Sequence, residues 1–220
     1  MLAIELNSNI IPQLPLQETV GKALLLIREF KVSHLPVVSD EKFLGLISEE
    51  DLLHAGNKKL LIENLQENFL NVSVNENDHF LQAVNICNQY QTNVVPVVNS
   101  EKEFSGTISG QTLLRVLGTF SGAPEIGGLI VLEMEKSQFS ISEITRIMES
   151  NEVTILHFNT TENAVTGLLS VTIHLNKKEL SVVVAAFERY EYRVVYYFGE
   201  EKFDNEINEN YHHLMNYLDI

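Results

Sequence analysis

The chain carries one pattern twice, and that repetition limits its fold more than any other feature. Residues 14–53 align with residues 74–114 at an offset of 60 that becomes 61 after one inserted residue. Ala23 falls on Ala83, and Pro36-Val37-Val38 on Pro96-Val97-Val98. Beyond the insertion, Phe43, Gly45, Ile47, Ser48, Leu52 and Leu53 fall on Phe104, Gly106, Ile108, Ser109, Leu113 and Leu114. Ten identities at turn, strand and helix positions mark an internal duplication. Val20, Ala23, Leu24 and Ile27 share one helical face, and Phe80, Ala83, Val84 and Cys87 do the same. Each helix leads to an apolar strand (Leu35–Val38; Val95–Val98), a polar turn (Ser39–Lys42; Asn99–Glu103), a second strand ending in Ile-Ser, and a short helix. Neither unit buries its open sheet face alone, so the two are expected to pack around a pseudo-twofold axis.

The order helix, x-P-V-V, turn, G-x-I-S-x-x-D-L-L resembles the tandem CBS domain pair over roughly residues 9–118. That resemblance implies βαββα repeats, over 1–58 and 59–120. It also implies a regulatory role, with an adenine nucleotide or another adenosine compound (AMP, ADP, ATP or a relative) bound in a cleft between the repeats.

Gly45-Leu46-Ile47-Ser48-Glu49-Glu50-Asp51 supplies the matching chemistry. A carboxylate accepts from both ribose hydroxyls, and a helix start with a hydroxyl beside it suits phosphate. By resemblance Asp51 holds the ribose and Ser48 lies beside ribose or phosphate. His34, two residues before Pro36, stands where the family often contacts phosphate, and Pro36 joins the expected site. Ser48 and Asp51 are equally a Ser-x-x-Asp helix cap, a stabilising device that needs no ligand. The second copy has Ser109 and Thr112 in their places, and Val94 in place of His34. Thr112 cannot accept from two hydroxyls and Val94 has no polar atom. One competent cleft per chain is therefore expected, with the Ser109/Thr112 cleft degenerate.

Ser121–Gly127 reads as a linker. Beyond it, Leu129–Met134 reads as a strand, Ser140-Ile141-Ser142-Glu143 as a capping box, Val153–Phe158 and Leu169–Leu175 as strands. Asn176 precedes a helix with Leu180, Val183, Val184 and Phe187 on one face, and Tyr192–Phe198 closes as a strand. This βαββαβ order over 128–199 is ferredoxin-like and resembles an ACT domain. Such modules often dimerise and bind amino acids, but the loop Glu135–Phe139 lacks the glycine common at those ligand sites. The whole is read as α+β, and a CBS pair followed by an ACT-like domain resembles bacterial acetoin-utilisation proteins of the AcuB type. In the last stretch, 200–220, Tyr211, Leu214, Met215 and Leu218 predict an amphipathic helix. His212-His213 point apart on it and make no metal site.

The formal net charge of −15 disfavours nucleic acid and anionic membrane surfaces. No apolar run is long enough for a membrane span and no secretory signal is visible. Cys87, the only cysteine, excludes an intrachain disulfide and points to a cytoplasmic setting. It occupies the helical position of Ile27 and reads as core. No nucleophile elbow, phosphate loop or metal motif is present. The expectation is a non-catalytic, homodimeric adenosine-ligand sensor without metal, acting on an unidentified protein partner. The alternatives are a ligand-free dimerisation or partner-binding module, and amino-acid sensing by the ACT-like domain.

Overall fold

The structure is a computed structural model and describes residues 1–200. The helix expected over 200–220 lies, beyond Glu200, outside the described residues. The chain divides into two compact units, Met1–Leu117 and Gly118–Ile220.

In the first unit, α1 (Val20–Phe30), β1 (His34–Ser39), β2 (Lys42–Ser48) and α2 (Glu49–His54) form one repeat. β3 (Val74–Asn75), α3 (Phe80–Tyr90), β4 (Val94–Val98), β5 (Phe104–Ser109) and α4 (Gly110–Phe120) form the other. Val20, Ala23, Leu24 and Ile27 are buried, as the helical spacing requires. Both α1 and α3 stop at a left-handed residue, Lys31 (φ 54°) and Gln91 (φ 50°). β1 pairs with β2, and β4 with β5, antiparallel. The first hairpin turns through Asp40 and Glu41, both at positive φ, which matches the twist of paired strands. The second turn is longer by the inserted residue. There the Asn99 side chain accepts from the backbone N–H of Glu101 and of Glu103, each at 2.9 Å, so the insertion is absorbed locally.

The pseudo-twofold is written in matched hydrogen bonds. Ser33 N–H donates to Asn93 Oδ1 at 2.8 Å, and Asn93 N–H to Ser33 Oγ at 3.3 Å. At the other end, Phe43 N–H donates to Lys102 O at 3.1 Å and Phe104 N–H to Glu41 O at 2.7 Å. The Phe43 and Phe104 rings stack there, centroids 6.4 Å apart.

The repeat also extends further back than the identities indicate, and its leading segments are exchanged. The 3-10 turn Ala3–Leu6 precedes the first repeat, yet Ala3 is buried in the core of the second with Val74, Phe80 and Ala83. Its counterpart Ile62–Asn68 precedes the second repeat, yet Ile62 is buried in the core of the first with Leu14, Val20 and Ile27. Ser8 and Thr107 exchange backbone hydrogen bonds at 2.9 Å, and Leu46 and Leu70 do the same. This explains a shared glycine. At Gly45 (φ 152°) a Cβ would meet Phe69 Cβ at 2.8 Å, and at Gly106 (φ 144°) it would meet Asn7 Oδ1 at 2.3 Å. Each glycine lets the other repeat's arm lie on the strand.

In the second unit, β6 (Gly128–Met134), α5 (Ile141–Ser150), β7 (Ile155–Glu162), β8 (Leu169–Leu175), α6 (Ser181–Arg189) and β9 (Arg193–Phe198) follow the βαββαβ order. The sheet order is β7-β8-β6-β9, all antiparallel. Ile130, Leu132, Ile144, Ile147, Val171, Ile173, Val183 and Phe187 form its core. Three details differ from the sequence expectation. β7 begins at Ile155, after Val153 has packed into the core and Thr154 N–H has bonded Asn176 Oδ1 at 2.9 Å. That bond engages Asn176, and α6 starts later, at Ser181. Ser140 does cap α5, accepting from Glu143 N–H at 3.3 Å. The Glu143 carboxylate, however, accepts from Tyr192 O–H at 2.8 Å, tying α5 to the chain entering β9. Of residues 121–127, Gly122 is buried and Gly127 lies against the sheet, where a Cβ would fall 1.8 Å from Leu175 O, while residues 123–126 are exposed.

Candidate functional site

Ser48 ends β2 and becomes the N-cap of α2, its Oγ accepting from Asp51 N–H at 3.0 Å. The same hydroxyl donates to Asp51 Oδ2. The other carboxylate oxygen, Oδ1, accepts from Asn68 Nδ2 at 3.1 Å. Asn68 belongs to the exchanged arm, so the arm steadies the carboxylate. The helix cap read from spacing is therefore formed, and Asp51 keeps lone pairs for a further partner.

His34 stands directly opposite Ser48 in the β1–β2 register. Its Nδ1 is hydrogen-bonded to Ser33 Oγ at 2.8 Å. Burial holds the imidazole below the ordinary histidine value, and the Asp51 carboxylate only partly offsets that.

His34, Ser48 and Asp51 line one cleft of about 590 Å³ together with Ser33, Glu49, Glu50, Leu53 and His54. Its remaining wall is Leu70 from the arm, and Tyr90 and Gln91 from the end of α3. That volume falls in the range of small-molecule sites. Pro36, expected in the site, lies in the buried part of β1, where its carbonyl accepts from Leu14 N–H at 2.8 Å; it is not a lining residue. The contributions of Leu70, Tyr90 and Gln91 could not be found from spacing. They depend on how the repeats dock, and the left-handed end shared by α1 and α3 is visible only in the backbone.

The corresponding corner of the second repeat keeps the frame. Ser109 Oγ accepts from Thr112 N–H at 3.1 Å and lies 3.0 Å from Thr112 Oγ1. Val94 is wholly buried, within the apolar cluster of the first repeat. Cys87 is packed beside the second repeat's core, and burial pushes its thiol pKa up, so it remains protonated. Among the described residues no three His, Cys, Asp or Glu side chains converge as a metal site. No described helix is long and apolar enough to cross a membrane.

Residues 5–58 match the model of the CBS domain family. Several solved structures are similar to part of the chain. A CBS domain pair/ACT domain protein from Thermotoga maritima is 22% identical with a TM-score of 0.49, the alignment covering 55% of this chain and 98% of that one. A Vibrio cholerae protein described as an acetoin utilization protein (AcuB) is 17% identical with a TM-score of 0.46, covering 55% and 92%. A CBS domain pair solved with 5′-methylthioadenosine and S-adenosyl-L-methionine is 22% identical with a TM-score of 0.45, covering 55% and 98%. Residues 5–58 are thus similar to a CBS domain, and the internal repeat gives the following segment a matching order of elements in a mixed α+β structure.

Proposed function

We propose that this chain is a non-catalytic regulatory protein that binds an adenine nucleotide or related adenosine compound in the cleft at Asp51. The observation that carries the reading is the Asp51 carboxylate. It is fixed by Ser48 and Asn68 on the wall of a cleft of ligand size, with Tyr90 and Gln91 from the other repeat opposite. A ribose diol needs such an acceptor, and an adenine ring finds apolar surface on Leu70 and Leu53. A ligand touching both repeats favours one arrangement of them, and only such a differential preference can shift a conformational equilibrium. The single cysteine supports a cytoplasmic setting, the net charge of −15 speaks against nucleic acid, and the family resemblance supports a homodimer.

The test is thermal unfolding with adenosine, AMP, ADP, ATP and S-adenosylmethionine. A true ligand at about 100 times its Kd stabilises the fold by about 2.7 kcal/mol. No shift with any of them rejects the reading. One observation favours a second reading, a ligand-free assembly module: the second repeat preserves the scaffold while Val94 and Thr112 have lost the ligand chemistry. That reading expects no shift with any adenosine compound.

A further inference from the structure

We infer that the Asp51 cleft takes an adenosine compound whose 5′ substituent is uncharged or cationic, and turns away the phosphorylated nucleotides. This rests on the sensing reading above and narrows it. The cleft's lining holds three carboxylates, Glu49, Glu50 and Asp51, and no Lys or Arg. A nucleotide phosphate carries close to two negative charges near neutral pH. In known anion sites the compensation comes from guanidinium, ammonium or free backbone N–H groups at a helix start.

Here the helix start cannot serve. α2 has only six residues, and all three residues of its first turn are acidic. Their charge is complementary to the positive end of the helix and uses up what it would offer an anion. Two of the three first-turn N–H groups are already committed. Glu49 N–H donates to Ser33 O at 2.9 Å, and Asp51 N–H to Ser48 Oγ at 3.0 Å. His34, the family position for phosphate contact, is held toward its neutral form by burial. Among the described residues no three acidic or imidazole side chains converge to seat a bridging divalent ion. A thioether or a sulfonium group meets none of these obstacles, and a sulfonium is attracted by Glu49 and Glu50.

Isothermal titration of the full chain near pH 8, with a chelator present, separates the classes. The probes are adenosine, 5′-methylthioadenosine, S-adenosylmethionine, AMP and ATP. AMP and ATP are expected to bind at least about tenfold more weakly than adenosine, and the gap should narrow as salt shortens the screening length below about 10 Å. S-adenosylmethionine should bind at least as tightly as adenosine. In a Glu49→Gln/Glu50→Gln chain the ratio of AMP to adenosine affinity should move about tenfold toward AMP. Binding of AMP or ATP as tight as that of adenosine overturns this inference while leaving the sensing reading intact. A ratio unmoved in the double variant overturns it too. No binding by any of the five rejects both.

Discussion

The two repeats follow one backbone plan with different chemistry. Where the first places His34 opposite Ser48, the second places Val94 opposite Ser109. His34 remains half-buried beside a cleft, whereas Val94 is driven wholly into the neighbouring core. Asp51 offers a carboxylate held by two partners, and Thr112 a single hydroxyl turned to its own cap. The pair separates what the architecture requires from what a ligand would require. The Pro-Val-Val strands, the Gly under each arm and the Ser caps appear twice because the fold needs them twice. His34 and Asp51 appear once.

This contrast can be broken at three points. The largest effect is expected in the cores. Ile27 is 2% exposed, whereas its counterpart Cys87 is only partly buried. Ile27→Ala should destabilise by about 2–5 kcal/mol and Cys87→Ala by less than half as much, measured by urea unfolding. Equal losses would show that the second helix is as tightly committed as the first. Next comes the site itself. Asp51→Ala should weaken binding of adenosine by about 1.5–3 kcal/mol, the worth of a hydrogen bond to a charged group, while Thr112→Ala leaves it unchanged. Titration of both variants decides it, and a matching loss in Thr112→Ala would make the clefts equivalent.

The smallest effect concerns pH. His34 is held below 6.5 in the folded chain, chiefly by desolvation. Below 6.5 the unfolded chain takes up this proton first, so stability should fall as pH drops from about 6.5 and level off below the folded value. Above 6.5 His34 contributes no slope. His34→Val, which copies the second repeat, should flatten that part of the stability curve. An unaltered slope would mean that other groups carry it.

Much of this was legible in the residues. The helical faces, the paired strands and the Ile-Ser helix starts follow from periodicity and spacing, and burial of Val20, Ala23, Leu24 and Ile27 bears that out. The βαββαβ order of the second unit was legible for the same reason. The exchanged arms were not. Ala3–Leu6 and Ile62–Asn68 share little beyond Leu6 and Leu65, too short a match to mark a repeat, and their exchange is visible only in which core Ala3 and Ile62 enter. The far wall of the cleft was equally hidden, since Tyr90 and Gln91 reach it only through the docking of one repeat on the other. The cap at Ser140 follows from local spacing, but the partner of Glu143 is a distant tyrosine that no local pattern specifies.

The crossed arms bear on how the protein is made. Ser8 pairs with Thr107, 99 positions downstream. During synthesis at about 5–20 residues per second, the first turn of the chain waits on the order of ten seconds for its seat to leave the ribosome. A fragment cut after residue 58 would lack Ile62 and Leu70, and the complementary fragment would lack Ala3 and Ser8. Each half-gene product would leave the ribosome with an open socket shaped for the other half's leading turn.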